Sequence, residues 1–240
     1  MNAVLLAAGL GSRLGSLTTE LPKALLPVGG KPLLAHALAF AGRLGTSRLV
    51  VVGGFCFPQV EQALATIRGD LPVELVENRA FRDGNLVSLL AAKPRLDEGF
   101  LVMNVDHIYR PAIARVVAPE VERVTAFIDT DRTLGADDMK VARDADGRVA
   151  AIAKTLVTFD CGYVGMTRVP TALCDRYFAE AERALAEEGR AIHVERILAR
   201  LAKTADAPAC RDISGYGWLE VDTPDERAAA ERVLAGGGWG

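Results

Sequence analysis

Val4-Leu5-Leu6-Ala7-Ala8-Gly9-Leu10-Gly11-Ser12-Arg13-Leu14-Gly15 opens the chain, and Leu21-Pro22-Lys23-Ala24-Leu25-Leu26-Pro27-Val28 answers it a few residues later. The apolar run reads as a buried strand that stops at Ala7-Ala8-Gly9. The loop after it carries small residues, one arginine and then one lysine. Glycines let the backbone approach an anion and turn successive N–H groups into a concave nest. Arg13 brings a planar fork for phosphate oxygens, and Lys23 a compact point charge. The loop therefore suits a polyphosphate. A glycine-rich turn after a first strand is also common, so the loop alone reads equally well as a plain turn.

Two familiar phosphate motifs are excluded. The dinucleotide fingerprint needs a third glycine where Leu14 stands. A P-loop fails because no glycine stands five residues before Gly30-Lys31, and Pro32 replaces the required hydroxyl residue.

A chain of 240 residues makes one large domain or two small ones and can bury a sizeable core. With 28 Lys and Arg against 31 Asp and Glu, the net charge is −3, so no general attraction to nucleic acid is expected and any phosphate site is local. Cys56, Cys161, Cys174 and Cys210 are widely spaced without a C-x-x-C pair, which argues for free thiols rather than zinc ligands or a disulfide framework. The N-terminus lacks a basic n-region and its apolar run breaks at Gly9, so it does not read as a signal peptide. No stretch is apolar for long enough to span a bilayer. A cytoplasmic protein is expected.

Pro32 to Leu44 is expected to form an amphipathic helix, Ser47 to Val52 a strand ending at Gly53-Gly54, Phe57 to Arg68 a helix, and Val73 to Val76 a strand ending at Glu77-Asn78. This alternation with short joints predicts an α/β fold. It is a single-domain, doubly wound, mostly parallel (Rossmann-like) sheet with helices on both faces and ligands at the carboxyl ends of its strands. Asp83-Gly84-Asn85 opens a helix that Pro94 stops, and Phe100 to Val105 is a fourth strand with Asp106-His107-Ile108-Tyr109 at its carboxyl end. A helix is expected from Pro111 and a strand from Val121 to Ile128.

Beyond this point the texture changes. Asp129 to Asp138 reads as a polar, mobile, solvated loop. Met139–Ala142 and Arg148–Ala153 flank the turn Asp144-Ala145-Asp146-Gly147 as a small β insertion. Cys161 to Thr167 is a strand, and Pro170–Glu188 and Ala191–Lys203 are helical. Arg211 to Val221 is mixed, with Trp218-Leu219-Glu220-Val221 strand-like. Asp222-Thr223-Pro224 starts a final helix to Leu234, and the terminal Gly-Gly-Gly-Trp-Gly run is expected to fray. We read 1–240 as one domain, with 1–120 mainly nucleotide-binding and 121–240 mainly acceptor-binding.

Asp106 directly follows an apolar strand, where α/β proteins place ligand groups, although a turn or capping aspartate reads the same way. Asp222 follows Trp218-Leu219-Glu220-Val221, and its alternative is stronger because Asp-Thr-Pro-Asp is a good helix start. Together they make a carboxylate pair suited to a hard cation, but spacing alone does not bring them together.

The opening motif resembles that of the sugar-phosphate nucleotidyltransferase superfamily (MobA-like NTP transferases), whose pattern is L-A-A-G-x-G-x-R-L followed by P-K-x-L-x-P-V. Val105-Asp106-His107-Ile108-Tyr109-Arg110-Pro111 is similar to the G-D-H-x-Y-x-P segment of CTP:inositol-1-phosphate cytidylyltransferases. Trp218-Leu219-Glu220-Val221-Asp222-Thr223-Pro224-Asp225 resembles their W-x-D-V-D-T-P-E segment. Asp83-Gly84-Asn85-Leu86-Val87-Ser88-Leu89 is similar to the N-G-x-S-L segment that they share with phosphocholine cytidylyltransferases. Ile152-Ala153-Lys154 and Phe159-Asp160 fit an I-x-K…F-D stretch. The chain departs at Val105, Glu220 and Cys161-Gly162, where glycine, aspartate and an acidic pair are usual.

The resemblance implies that Ala7, Ala8, Gly9, Gly11 and Ser12 line the nucleotide, with Arg13 on its β- and γ-phosphates. It implies that Lys23 bridges the α-phosphate and the incoming phosphate, and that Gly53, Asn78, Gly84, Asn85 and Ser88 lie along base and ribose. Asp106 and Asp222 would hold Mg²⁺, and Lys154, Asp129 and Tyr163 would face the acceptor. The implied reaction moves CMP from CTP to a phosphorylated alcohol, with inositol 1-phosphate the best guess. Phosphocholine, phosphonate or sugar-1-phosphate acceptors with CTP, UTP or dTTP, and a non-catalytic nucleotide-binding regulator, are the alternatives. No nucleic acid or membrane partner is implied, and a homodimer is left open. His107, His36 and His193 read as orienting or structural residues.

Overall fold

In the computed structural model, which describes residues 1–237 and 239, alternate residues of the first strand face two different cores. β1 (Asn2–Ala7) sends Ala3, Leu5 and Ala7 to one cluster and Val4 and Leu6 to the other. A strand buried on both faces has no room for alternating polarity, which is why it reads as one apolar run. A short hairpin, β2 (Pro27–Val28) and β3 (Lys31–Pro32), leads into α1 (Leu33–Arg43). Then come β4 (Arg48–Gly53), α2 (Phe57–Ile67), β5 (Val73–Glu77) and α3 (Asn85–Ala92). β6 (Phe100–Asn104) and β7 (His107–Tyr109) follow, then α4 (Ala114–Val117) and β8 (Thr125–Asp129).

The second half supplies β9 (Lys140–Arg143), β10 (Val149–Ala153), β11 (Cys161–Val169), α5 (Cys174–Glu188) and α6 (Glu195–Leu201). It closes with β12 (Ala209–Asp212), β13 (Trp218–Glu220) and α7 (Pro224–Ala235). Among the described residues, nine strands share one sheet along the path β10-β9-β11-β6-β1-β4-β5, with β8 beside β11 and β12 beside β8. β6, β1, β4 and β5 run parallel, and β11 is antiparallel to β6. The core residues of α1 and α2 pack on one face of the sheet, and those of α3, α5 and α6 on the other. The doubly wound reading holds, and strands of both halves lie in this sheet.

Several expected elements are shorter than the sequence suggested. The helix from Ala191 begins only at Glu195, because the preceding residues run along the start of α3. There Gly84 N donates to Arg190 O at 2.8 Å and Val194 N to Asn85 Oδ1 at 2.8 Å. The helix from Pro111 is a 3-10 turn followed by the four-residue α4. Of the terminal run expected to fray, Gly238 and Gly240 lie outside the described residues, while the Trp239 ring packs 4.6 Å beneath the Arg110 guanidinium.

All four cysteines are free thiols. No helix among the described residues is long and apolar enough to cross a membrane.

Candidate active site

The carboxyl ends of β1 and β6 open into a cleft of about 340 Å³. Ala8, Gly9, Gly11, Ser12 and Arg13 form its rim, and Lys23, Asp106 and Asp222 its floor. Asn85 and Ser88 from the start of α3 close the opposite wall. The loop after β1 is held against the second motif at Gly11, whose φ of 67° suits glycine. A Cβ at Gly11 would lie 3.0 Å from Lys23 Cβ and 3.1 Å from Thr18 Cγ2. Thr18 Oγ1 donates to Gly11 O at 2.8 Å, which fixes the loop in that position.

On the floor, Lys23 is 6% exposed and its ammonium lies between two carboxylates. It donates to Asp106 Oδ2 at 2.7 Å and also to Asp222 Oδ1. Arg13 donates to the other oxygen of Asp222 and pairs with Asp137 at 3.2 Å. Burial penalises the Lys23 charge, but Asp106 and Asp222 outweigh it and hold the pKa above its ordinary value. Burial likewise opposes ionisation of Asp106, and Lys23 and His107 overcome it, leaving the carboxyl well below its usual range. Residues 116 positions apart thus share one cation. Thr223 is the cap of α7 in a capping box with Glu226, so Asp222 is not the cap. The Asp222 side chain is free to face the cleft.

Two hard oxygen donors that already converge on one buried cation fit Mg²⁺, which takes few protein carboxylates and completes its shell from water and phosphate oxygens. The remaining oxygen of each aspartate is also held, Asp106 Oδ1 by His107 Nδ1 at 2.7 Å and Asp222 Oδ2 by Arg13. Partners of this kind orient a ligating carboxylate.

His107 is itself tightly packed. Its ring stacks on Trp218 with centroids 5.3 Å apart, and β11, whose register against β8 shifts between Tyr163 and Thr167, passes close to it at Gly165. A Cβ at Gly165 would stand 2.7 Å from His107 Nε2. Burial lowers the His107 pKa, but Asp106, Glu220 and Asp222 reverse this and raise it overall. The folded protein therefore keeps a proton that the unfolded chain releases above about pH 6.5. Stability from this group is complete below that pH and is lost as pH rises through the raised folded value. The melting temperature should fall over that interval, and His107→Gln should flatten the fall. Parallel wild-type and variant profiles would contradict this account.

A second cleft of about 210 Å³ joins the first through Arg13, Asn85, Asn104, Asp106, His193 and Asp222. Lys154, Tyr163, Asp137, Asp138, Glu195 and Glu220 line its far side. Lys154 lies 3.8 Å from Asp137, and Tyr163 Oη is 2.8 Å from Thr167 Oγ1.

Other residues assigned to the site from sequence lie behind its walls. Ala7 is buried at the end of β1 and faces the core of α1. Gly53 sits beneath Phe57, where a Cβ would approach the ring to 2.9 Å. Gly84 is a packing glycine, since a Cβ would stand 1.8 Å from Ile192 O. Asn78 is buried, donates to Ser88 Oγ at 2.9 Å and accepts from Ala80 N, so it props the wall.

Asp129 needs the largest correction. Its carboxylate accepts from Trp218 Nε1 at 2.7 Å and Asp131 N at 2.7 Å, and it lines neither cleft. Nor is its loop simply solvated. Arg132 lies 4.6 Å over the Trp218 ring and 3.2 Å from Asp138, while Asp138 also accepts from Gly135 N.

Sequence reasoning missed Asn104, His193, Glu195 and the role of Asp137. Asn104 carried a signal, being polar at the end of an apolar strand. His193 and Glu195 carried none, because the contact between Asn85 and Val194 that presents them spans 109 positions.

Comparison with known proteins places this geometry in a family. The chain is 31% identical to a bifunctional IPC transferase and DIPP synthase of Aquifex aeolicus, over 97% of its own length and 51% of that protein. It is 29% identical to a CMP-5'-(3-aminopropyl)phosphonate synthase of Streptomyces rubellomurinus, over 96% of the chain and 38% of that protein. The chain thus spans about half or less of these curated relatives. Among solved structures, the inositol-1-phosphate CTP transferase from T. maritima superposes with a TM-score of 0.82 at 20% identity, covering 98% of this chain and 94% of that one, and shares the fold. The MobA-like NTP transferase domain model matches residues 3–205, and the chain belongs to that family.

Proposed function

We propose that the protein is a Mg²⁺-dependent cytidylyltransferase that moves CMP from CTP to a phosphorylated alcohol, with inositol 1-phosphate the preferred acceptor. The products would be CDP-inositol and pyrophosphate. The convergence of Asp106 and Asp222 on Lys23, at the junction of two contiguous clefts, carries the reading. The relatives' names supply the base and acceptor class.

In this reading CTP occupies the first cleft and the acceptor the second. An acceptor phosphate oxygen attacks the α-phosphorus in line. The bond from that phosphorus to the bridging oxygen breaks, and pyrophosphate leaves with the electron pair. Phosphate monoester oxygens are already ionised near neutral pH, so no general base is required. Lys23 and Arg13 would leave the aspartates for the phosphates, neutralising charge and aligning the two reactants. Mg²⁺ on Asp106 and Asp222 would add further charge neutralisation on phosphate oxygens. A quaternary ammonium acceptor is disfavoured, because it calls for an aromatic cage. Tyr109 and Trp218 are buried around His107, which leaves Tyr163 as the tyrosine of the second cleft.

The test is pyrophosphate release across four nucleoside triphosphates and a panel of phosphorylated acceptors with MgCl₂. Turnover is expected with CTP and inositol 1-phosphate. Turnover confined to UTP or dTTP with a sugar 1-phosphate would overturn the acceptor and base, and none with any pair would overturn the enzyme.

A further inference from the structure

We propose that Glu195 selects the organic part of the acceptor by accepting hydrogen bonds from its hydroxyl groups. This rests on the transferase reading above. Glu195 stands apart from the other carboxylates of the second cleft. Lys23 engages Asp106 and Asp222, Arg13 and Lys154 engage Asp137, and Arg132 lies near Asp138 and Glu220. Glu195 lines the cleft with no ion pair or side-chain hydrogen bond among the described residues. Burial raises its pKa, and its own backbone N–H, His193, His107 and Lys154 only partly offset this.

A partly buried carboxylate met only by its own backbone N–H retains acceptor capacity that is costly to leave unused, and a ligand that supplies hydroxyl hydrogens removes that cost. Its position is set from outside the helix that it begins. Asn85 Oδ1 accepts from Val194 N at 2.8 Å, docking the 193–195 segment against the nucleotide-side helix α3. The same side chain therefore couples the wall of the first cleft to the acceptor end of the second.

Apart from Glu195, the carboxylates of this cleft are answered by Arg13, Lys23, Arg132 and Lys154, with His107 adding a fifth positive group when protonated. Glu195 is the carboxylate left over, open to the hydroxyl hydrogens of an acceptor, and a cationic acceptor measured beside a polyol one distinguishes hydroxyl recognition from charge pairing.

Steady-state kinetics on Glu195→Ala and Glu195→Gln test the assignment, with CTP and either inositol 1-phosphate or phosphoethanolamine. Glu195→Ala should raise KM for inositol 1-phosphate by about 10-fold and leave KM for CTP unchanged. Glu195→Gln keeps an acceptor oxygen and should recover to within about 3-fold of wild type. The alanine variant should melt no lower than wild type, because it removes an unpartnered carboxylate rather than a structural contact. An unchanged acceptor KM in an active Glu195→Ala enzyme would overturn the role. A wild type that prefers phosphoethanolamine and loses as much activity in Gln as in Ala would show a cation site instead. No turnover by wild type with any pair would instead sink the transferase reading and this assignment with it.

Discussion

Asp106→Asn is expected to lower kcat by about 10³-fold, since a metal clamp contributes several kcal/mol of transition-state charge stabilisation. The substitution keeps the shape of the side chain and one acceptor oxygen while removing the charge. It takes away one of the two carboxylates converging on the cation position, and Asn is a poor substitute for a hard anionic donor. The fold should survive, because Lys23 retains Asp222 and His107 stays stacked on Trp218. Circular dichroism of the variant should match wild type while pyrophosphate release slows by about 10³-fold. Activity within 10-fold of wild type would remove Asp106 from the machinery.

Lys23→Met should act on stability as well as on rate. Removing the ammonium leaves Asp106 and Asp222 facing each other without the cation that sits between them. Breaking a buried ion pair by removing one partner costs about 3–5 kcal/mol. Arg13 still touches Asp222, and His107 still touches Asp106, so the loss should sit at the lower end of that range. In the presence of a chelator the variant should melt well below wild type. Added MgCl₂ should close much of the gap, because the divalent cation takes the position that Lys23 vacates. The rate should remain about 10²–10³-fold down even with the metal, since Lys23 is assigned to the phosphates in the transition state. Equal melting temperatures in chelator would contradict the central position given to Lys23.

The fold was largely legible because its decisive signals are contiguous. The Val4–Ala7 run and residues 49–52 of β4 are apolar throughout, as strands covered on both faces must be. Local patterns left Asp222 ambiguous, since Asp222 and Thr223 are both good caps. The contact of Thr223 with Glu226 settles which one caps the helix, and the resemblance had already pointed Asp222 at the metal.

Residues placed by long-range contacts were not legible in the same way. Asp129 sits in an acidic run that reads as solvated, yet Trp218 from 89 positions away claims its carboxylate. Gly84 reads as a loop glycine near a ligand. Its small size is instead required by the Ile192 carbonyl, which comes from the segment leading into α6. That packing, with Asn85 on Val194, presents His193 and Glu195 to the acceptor cleft, and no local spacing encodes it.

The most direct test of the central claim is phosphorus NMR of the protein incubated with CTP, inositol 1-phosphate and MgCl₂. A new diphosphate diester and free pyrophosphate should appear in equal amounts with wild type, and about 10³-fold more slowly with Asp106→Asn. Appearance of CDP with orthophosphate, or equal product formation by the Asn variant, would contradict that claim.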